Sequence, residues 1–415
     1  MDMRDSAAAG GGQETLGIYV SVPFCRSKCT YCNFASGVYP AGEHARYVGR
    51  LAEDLAAAGS GAAELGAEMP RSVDTIYLGG GTPSLLEPEL IDRLFAAIRA
   101  QFELEAEAEI TVECAPGQLA DATLEALVRA GVNRVSLGVQ SFVDAEARGS
   151  GRLHDRVTVE RDLRRLREAG IGNLNVDLIA GLAGQSAESW EQSLEALIGA
   201  GVPHASVYML EVDEDSRLGR ELLAGGTRYG AGLVPDDDAI AHMYARAIER
   251  LAAAGIEQYE ISNFSRAGFE SRHNLRYWRR RPYLGVGLDA SSMLRADGQE
   301  EKDGGRYALR SATTADLKAY LDAAETAETA WLSPARQHEE AWFLGLRLNA
   351  GVQIAQVERE FGRAMVEPAL KVVERLVEDG MLACDGETVR LTERGRLLSN
   401  DVFQEFLEAA GTSAR

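Results

Sequence analysis

Residues 18–34 read IYVSVPFCRSKCTYCNF, a short apolar run that passes directly into a loop with three cysteines. The run Ile18–Val22 is rich in β-branched residues and predicts a strand. Cys25, Cys29 and Cys32 follow within eight residues, in the pattern C-x3-C-x2-C. Thiolates at this spacing can bind three corners of a cubane iron–sulfur cluster and leave the fourth iron open.

Zinc and chance clustering are the alternatives for these three cysteines. Structural zinc takes four ligands, and the nearest further candidate, His44, falls in a helical pattern. Cys114 and Cys384 are isolated along the chain, which argues against a disulfide scaffold. A fourth ligand at Cys114 would block the open iron, and we expect Cys114 to be a small buried side chain. The cysteine pattern therefore predicts a metal cluster in a reducing compartment.

Short β-branched or aromatic runs alternate with longer amphipathic patterns in the first half of the chain. The predicted strands are Ile18–Val22, Thr75–Leu78, Ile110–Val112, Arg134–Leu137, Asn173–Leu178 and Ala205–Leu210. The predicted helices between them are Tyr47–Ala58, Glu87–Gln101, Ala120–Ala130, Val157–Ala169 and Ala187–Ala200. Repeated strand–helix units predict an α/β fold with a parallel sheet, as a partial barrel or an open sheet. Functional residues should lie at the carboxyl ends of its strands.

The cysteine motif resembles that of the radical S-adenosylmethionine (radical SAM) superfamily, and its context resembles the HemN/HemW family. A second motif after the next strand, GGGTPS at 79–84, stands in the order expected of that family. The resemblance covers most of the chain and implies a partial (β/α)6 TIM-type barrel. It also implies a 4Fe-4S cluster on the three cysteines. In that family the cluster reduces bound S-adenosylmethionine and can generate a 5′-deoxyadenosyl radical.

The S-adenosylmethionine site is expected at successive strand ends. Glycines there let the backbone approach a ligand closely. Glu113 could take the ammonium group, Arg152 the carboxylate and Asp177 the ribose hydroxyls, which suits a zwitterionic nucleotide. Each of these residues alone could equally be a helix cap or a turn contact. The cofactor residues implied by the resemblance are Tyr19, Tyr31, Gly80, Gly81, Thr82, Glu113, Gln140, Arg152, Asp177, Met209 and Ser291.

Two features favour the HemW branch of the family over the coproporphyrinogen oxidase branch. Phe34 stands where the oxidases have a further cysteine, and only 24 residues precede Cys25. The segment 273–278, HNLRYW, matches the HemW pattern HNxxYW, so His273 could ligate haem iron while the rings cover the macrocycle. Nearby arginines could pair with the propionates. A hydrogen-bonded structural histidine is the alternative.

One segment departs from the HemW pattern. Residues 285–292 read GVGLDASS and lack the histidine of the family sequence Gly-x-Gly-Ala-His-Ser. The sequence of this segment is closer to that of the oxidase branch.

The expected organisation has three parts. A flexible tail covers 1–16, and a radical SAM barrel covers 17–322 with the HNxxYW extension at about 255–300. A linker at Ala323–Pro334 leads to a winged-helix-like α+β domain of the HemN C-terminal type over 335–415. The net charge of −21 argues against a nucleic-acid surface or a basic membrane-binding face. We see no signal peptide or membrane span, so a cytoplasmic location without stable membrane insertion is expected.

The resemblance implies a haem chaperone that binds haem as cargo and passes it to an unknown acceptor protein, with respiratory proteins as candidates. The first alternative is a radical SAM enzyme, either an oxygen-independent coproporphyrinogen III oxidase or a HemN-like methyltransferase. A second alternative is nucleic-acid binding through the C-terminal module. Its many acidic residues argue against that role, and Arg390, Arg394 and Arg396 argue for it.

Overall fold

The structure, a computed structural model, describes residues 14–300, 306–323 and 328–411. The predicted tail over 1–16 therefore falls mostly outside the described residues. Leu16 already belongs to the first strand, where its side chain is fully buried.

Strands and helices alternate as predicted over the first half of the chain. In chain order the strands are Leu16–Val22 (β1), Ala67–Glu68 (β2), Ser72–Gly80 (β3), Glu103–Cys114 (β4), Arg134–Gln140 (β5), Asn173–Ala180 (β6), His204–Met209 (β7), Glu257–Glu260 (β8), Asn263–Ser265 (β9), Tyr283–Gly287 (β10), Ser291–Glu300 (β11), Arg306–Ala312 (β12), Glu328–Leu332 (β13), Val352–Gln353 (β14), Leu382–Cys384 (β15) and Thr388–Leu391 (β16). All six predicted strands are confirmed.

The α-helices connect and cover these strands. In chain order they are Gly42–Glu64 (α1), Pro88–Gln101 (α2), Asp121–Ala130 (α3), Asp144–Gly149 (α4), Arg156–Glu168 (α5), Ala187–Ala200 (α6), Arg217–Leu223 (α7), Asp237–Ala253 (α8), Arg272–Trp278 (α9), Leu317–Leu321 (α10), Pro334–Gly345 (α11), Ile354–Phe361 (α12), Arg363–Glu378 (α13), Glu393–Leu397 (α14) and Ser399–Gly411 (α15). Gly131 and Gly201 end α3 and α6 with left-handed backbone, as helix-terminal glycines do.

The large sheet is mixed and open. Its order is β13-β12-β11-β10-β1-β3-β4-β5-β6-β7-β9-β8, with β2 paired to β11. The six predicted strands are parallel to one another, and β10 extends the parallel part beside β1. Antiparallel strands follow at both ends, and among the described residues the two outer strands do not pair with each other. The barrel is therefore partial, and all carboxyl ends of the parallel strands meet at one edge.

Apolar residues on the outer face of the parallel strands explain why helices cover that face of the sheet. Ile18, Val20 and Val22 of β1 are fully buried, and α1 packs Tyr47, Val48 and Leu51 against the same core. The intervening Tyr19 and Ser21 face the concave side of the sheet. Alternation along one strand thus separates the packed outer face from the face that forms the site.

The C-terminal module has its own core, centred on Trp342, which stacks on Phe406 at a centroid distance of 5.3 Å. Helices α12 and α13 precede the hairpin of β15 and β16, and β14 completes a three-stranded sheet, in agreement with the predicted winged-helix-like order. The predicted linker Ala323–Pro334 was wrong in its second half. Strand β13 lies there and pairs antiparallel with β12, while 324–327 lie outside the described residues.

None of the described helices is long and apolar enough to cross a bilayer.

Candidate functional site

A cavity of about 570 Å³ opens at the carboxyl ends of the parallel strands. Polar side chains, glycines and the cysteine loop line it. The predicted site residues that the structure brings together there are Cys25, Cys29, Cys32, Tyr31, Gly80, Gly81, Thr82, Glu113, Gln140, Arg152, Asp177 and Met209. Tyr19, Ser291 and His273 lie outside its lining.

The cysteine loop begins where β1 ends, and backbone hydrogen bonds fasten it. Cys25 N–H donates to the Gly37 carbonyl at 2.9 Å, and Gly37 N–H donates to the Pro23 carbonyl at the same distance. On the far side, Thr30 N–H donates to the Ser150 carbonyl at 3.0 Å. The three cysteine side chains are half-buried and free of disulfides. The fold therefore presents three thiols to one cavity on a loop that is held from both sides.

Polar groups lie beside the thiols. The Thr82 hydroxyl is 3.9 Å from Cys25 Sγ, and the Ser36 hydroxyl is 4.0 Å from Cys32 Sγ. Burial raises the pKa of Cys25, and the neighbouring hydroxyls oppose that rise. Across the described residues, no three Cys, His, Asp or Glu side chains converge as ligands of one metal ion.

The glycine turn after β3 lies against the start of the cysteine loop. Gly80 has φ of +98°, a conformation that favours glycine. A Cβ at Gly81 would lie 2.8 Å from backbone atoms of Val22, Pro23 and Phe24. Gly81 N–H donates to the Val22 carbonyl, and Thr82 N–H donates to the Phe24 carbonyl, both at 2.8 Å. The absence of side chains at these positions therefore lets the two loops touch at the floor of the cavity.

Glu113, the penultimate residue of β4, lines the cavity and receives a hydrogen bond from the Tyr77 hydroxyl at 2.9 Å. Burial and the nearby Asp177 raise the pKa of its carboxyl to about 7, although the Tyr77 hydroxyl and the Gly80 N–H oppose the rise. A carboxyl in this position becomes a strong partner for a cationic group that enters the cavity.

Arg152 and Gln140 carry polar atoms that have no hydrogen-bond partner among the described residues. Arg152 donates to the Tyr31 hydroxyl at 3.0 Å, but its Nε is buried and unbonded. The Gln140 Oε1 is likewise buried and unbonded, and Gln140 has φ of +69°, which is strained for a residue with a Cβ. Buried polar atoms of this kind are satisfied by a ligand or by water. Together with Glu113 they fit a zwitterionic nucleotide such as S-adenosylmethionine.

Tyr19 and Ser291 are displaced from the cavity for different reasons. Tyr19 is on the concave face of β1, but its ring lies behind the site, 6.1 Å from the Tyr77 ring and 6.4 Å from the His273 ring between centroids. Ser291 is exposed at the start of β11 and pairs in the ladder with Ala312. In this structure, therefore, neither contacts the space that the other cofactor residues share.

His273 is fully buried, and both ring nitrogens are hydrogen-bonded. Nδ1 is 3.0 Å from the Thr75 hydroxyl, and Nε2 is 2.8 Å from the Tyr277 hydroxyl. Burial and the cationic Arg276 lower its pKa to about 3, so the ring is neutral. In this conformation His273 is the hydrogen-bonded structural histidine and does not present a free nitrogen to haem.

The arginines around α9 are also engaged in ion pairs. The buried Arg276 binds Asp74, and Arg272 lies 3.7 Å from the same carboxylate. Arg280 pairs with Glu360 at 2.6 Å. These contacts engage three of the arginines that the sequence suggested as partners for propionates.

Sequence motifs did not single out several cavity residues. Gln118, Ser136 and Tyr208 line it, and so does Cys114, which the sequence predicted only to be a small buried side chain. Cys114 follows Glu113 and is buried, as expected, with a thiol whose pKa burial raises to about 12. Ser136 on β5 precedes the cavity residue Gly138 by two positions, so the strand period could have found it. Tyr208 and Gln118 carried no such signal.

Comparisons with known proteins agree with this geometry. Residues 19–197 match the radical SAM superfamily, and 332–398 match the HemN C-terminal domain. The heme chaperone HemW of Lactococcus lactis is 33% identical over 95% of this chain and 98% of its own length. The heme chaperone HemW of Bacillus subtilis is also 33% identical, over 94% of this chain and 98% of its own length.

The fold has a solved counterpart in coproporphyrinogen III oxidase (HemN) from Escherichia coli. The TM-score is 0.78 at 23% identity, and the match covers 95% of this chain and 90% of that one. At this level of identity the likeness concerns the fold alone. The HemW relatives, in contrast, are similar over nearly their whole length, and radical SAM proteins carry a 4Fe-4S cluster and S-adenosylmethionine. The chain therefore belongs to the HemW family of the radical SAM superfamily.

Proposed function

We propose that the protein is a haem chaperone of the HemW type, which binds haem as cargo and transfers it to an acceptor protein. The observation that carries the proposal is the end-to-end similarity to proteins described as heme chaperones. The cavity supports it, because the cysteine loop and the residues proposed for the cofactor share one space. The cytoplasmic location remains a prediction from the sequence.

Within this proposal, Cys25, Cys29 and Cys32 hold a 4Fe-4S cluster. When bound, such a cluster supplies a redox centre with one iron open to S-adenosylmethionine. The Thr82 and Ser36 hydroxyls beside the sulfur atoms would stabilise thiolate charge. The protein's part is to keep the loop in place and to leave the fourth corner free.

The cofactor's polar groups have complementary partners in the cavity. The Glu113 carboxylate would bind the ammonium group, and the unbonded Nε of Arg152 would bind the carboxylate. Asp177, whose carboxylate accepts the Ser136 hydroxyl at 3.2 Å, would also accept the ribose hydroxyls. The backbone of Gly80 and Gly81 lines the cavity and would lie against the methionine portion.

Haem ligation by His273 would require a change in the α9 segment. The Thr75 and Tyr277 hydrogen bonds occupy both ring nitrogens, and one of them must break before the ring can bind iron. We therefore expect haem binding to be coupled to movement of α9 if His273 is the axial ligand.

The test is anaerobic reconstitution of the cluster, followed by haem titration and a product assay on the same sample. We expect about three to four irons per chain, saturable haem binding, and weaker haem binding in His273→Ala. The matched control is His338→Ala, another buried histidine, whose Nε2 accepts the Trp342 indole N–H within the C-terminal module. Unchanged haem affinity in His273→Ala would remove His273 as a ligand. Preparations without iron would refute the proposal as a whole.

A radical enzyme acting on a porphyrinogen is the second candidate. The specific observation in its favour is that the cavity retains the complete set of charged residues proposed for S-adenosylmethionine. Formation of 5′-deoxyadenosine in step with conversion of coproporphyrinogen would support it. Absence of both in a fully reconstituted sample would exclude the oxidase.

Nucleic-acid binding is not part of the proposal. All three arginines that kept it open make contacts within the protein. Arg390 pairs with Asp385 at 2.9 Å, and Arg396 donates to Gln258 at 2.6 Å. The third, Arg394, donates to the Asp379 carbonyl at 3.4 Å.

A further inference from the structure

A small polar cavity of about 40 Å³ lies beneath the cofactor cavity, on the concave side of the sheet. Glu113 and Asp177 line both cavities. The remaining walls include Asn175, His204 and Ser271, which no sequence motif singled out. The volume suffices for one or two water molecules but not for a substrate. This region therefore consists of buried polar side chains that hydrogen-bond to one another.

The chain of hydrogen bonds begins at Asp177. Asn175 Nδ2 donates to Asp177 Oδ1 at 2.7 Å, so the amide oxygen of Asn175 faces the other way. That oxygen is 2.6 Å from His204 Nδ1. Because an amide oxygen only accepts, His204 must carry its proton on Nδ1. Asn175 and His204 are both almost completely buried, at 4% and 1% exposure.

The chain of hydrogen bonds continues from His204 to the helix that carries His273. With its proton on Nδ1, His204 accepts at Nε2, and the Tyr259 hydroxyl lies 2.9 Å away as the donor. The Tyr259 oxygen in turn accepts the backbone N–H of Ser271 at 3.1 Å. Ser271 is the residue that caps the N-terminus of α9, where its side chain accepts from Asn274 N–H. One directed chain thus joins Asp177 to the first turn of α9.

Every titratable group between the two ends is neutral. Burial, reinforced by the nearby cation of Arg134, holds the pKa of His204 far below its ordinary value. Burial and the nearby Glu260 raise the pKa of Tyr259 above its ordinary value. Asn175 Nδ2 also faces the Ser136 and Ser206 hydroxyls, at 2.7 Å and 3.0 Å. From His204 to Ser271 each donor and acceptor has one arrangement, and a displaced member leaves a buried polar group without a partner.

Side chains from elsewhere in the chain hold the first turn of α9. Besides Tyr259, the Glu109 carboxylate accepts Arg272 N–H at 3.2 Å and His273 N–H at 3.1 Å. The four N–H groups at a helix start have no partners within the helix, so such contacts fix its position. Removal of the Tyr259 hydroxyl therefore takes away one of the few hydrogen bonds that fix the start of α9.

We propose that His204 and Tyr259 are positioning residues that tie Asp177 to the start of α9, so that binding of S-adenosylmethionine and the order of α9 are coupled. The inference rests on the proposed function, in which Asp177 holds the ribose and His273 belongs to the haem segment. Ribose hydroxyls on Asp177 fix the carboxylate, the carboxylate fixes Asn175, and the order passes along the chain to Ser271. Coupling of this kind is reciprocal. The factor by which S-adenosylmethionine favours the ordered form of α9 is also the factor by which displacement of α9 weakens S-adenosylmethionine binding.

The test is amide hydrogen exchange of residues 271–278 in the reconstituted holoprotein, with and without S-adenosylmethionine. In the unmodified protein we expect S-adenosylmethionine to slow exchange in this segment at least about fivefold. Tyr259→Phe removes only the hydroxyl, so the slowing should fall to less than half while the cofactor still binds. The matched control is Tyr244→Phe, which removes another buried hydroxyl, bonded to the Ile261 carbonyl and to Gln258, and should preserve the full effect.

The outcomes separate this inference from the function on which it rests. If the unmodified holoprotein fails to bind S-adenosylmethionine, the proposed function fails first. If the cofactor binds but leaves exchange at 271–278 unchanged, the coupling is refuted without any variant. Equal protection in Tyr259→Phe and in the unmodified protein would refute the path through Tyr259. Should Tyr259→Phe fold poorly, His204→Gln interrupts the same chain and is read in the same way.

Discussion

Glu113 shows how one buried side chain can set the conditions under which the cavity binds its ligand. Its carboxyl shares the site with Asp177, and burial disfavours the charged form of both. A cationic ligand group reverses that balance, because it supplies the opposite charge that the protein leaves out. The residue is therefore better suited to recognise an ammonium group than to stabilise the empty protein.

This environment predicts a pH-dependent affinity for S-adenosylmethionine. With a pKa of about 7, Glu113 is mostly protonated below neutral pH and must lose a proton to bind the ammonium group. Affinity should therefore rise by roughly tenfold from about pH 6 to about pH 8. It should fall again at higher pH, where the amino group of the ligand becomes neutral. Equilibrium dialysis of the holoprotein across this range measures the effect.

Glu113→Gln is the control for that prediction. The amide cannot titrate, so its binding should be weaker at every pH and should lack the rise through neutrality. A Glu113→Gln profile that still rises with pH would assign the titration to another group.

At this scale the sequence predicted identities better than environments. The family resemblance implied the opposite charges of Glu113 and Arg152 as partners of the ligand, and the structure brings both to one cavity. The burial of His273 could not, because it depends on Thr75, which is 198 positions away along the chain. The histidine motif lies on α9, whereas a hydrogen bond with Thr75 on β3 determines whether the His273 ring is free to bind a ligand.

At the level of elements, the cysteine loop and the glycine turn form one unit. Two hydrogen bonds from Gly81 and Thr82 reach the backbone just before Cys25. The spacing within the cysteine motif was visible in the sequence, but its contact with the turn after the next strand follows from the pairing of β1 with β3. The position of the three thiols therefore depends on a loop that contains none of them.

Gly81→Ala tests this dependence. The added Cβ would lie 2.8 Å from three backbone atoms, which cannot move as a side chain can. We expect a cost of roughly 1–3 kcal/mol in folding free energy and a distorted cysteine loop. Iron and sulfide per chain after reconstitution should fall well below those of the unmodified protein.

The matched control is Gly59→Ala in α1, where an added Cβ meets nothing within 4 Å. That variant should retain its iron and gain slightly in stability, because alanine favours the helix. Normal iron content in Gly81→Ala would show that the cysteine loop tolerates displacement of the turn.

Over the whole molecule, the C-terminal module is joined to the sheet domain through the end of α9. The Arg347 guanidinium lies 4.3 Å from the centroid of the Trp278 ring, and Arg280 lies over Phe361 while it pairs with Glu360. Backbone contacts add to these, since Asn349 N–H donates to the Tyr259 carbonyl at 3.0 Å. The helix with the haem motif is therefore held between the two parts of the protein.

Arg280→Ala should weaken this attachment. It removes an ion pair that is largely shielded on the arginine side, together with a cation–π contact, at a cost of about 1–2 kcal/mol. Thermal unfolding should begin at lower temperature, and proteolysis near α9 should be faster. Arg129→Ala removes the exposed pair with Asp92 and should change stability by less than about 0.5 kcal/mol. Equal stability of the two variants would contradict the prediction.

At this scale the sequence predicted the parallel half of the sheet and missed its extension. Six short apolar runs separated by amphipathic helices leave little choice but a parallel order. Strands β10 to β13 lie beyond the strand–helix repeats and pair mostly with one another, so the repeat did not predict them. Glu328–Leu332 in particular has only one partly buried residue, Leu332, and looked like a connection between domains.

The way in which the cysteine loop is held bears on how the protein responds to oxygen. Its anchors are ordinary backbone hydrogen bonds to the Gly37 and Ser150 carbonyls, and the apolar core of the sheet lies on the other side of β1. If oxygen destroys the proposed cluster, we expect the surrounding fold to persist, because backbone hydrogen bonds hold the loop. Iron and sulfide supplied to the folded chain should then restore the cluster.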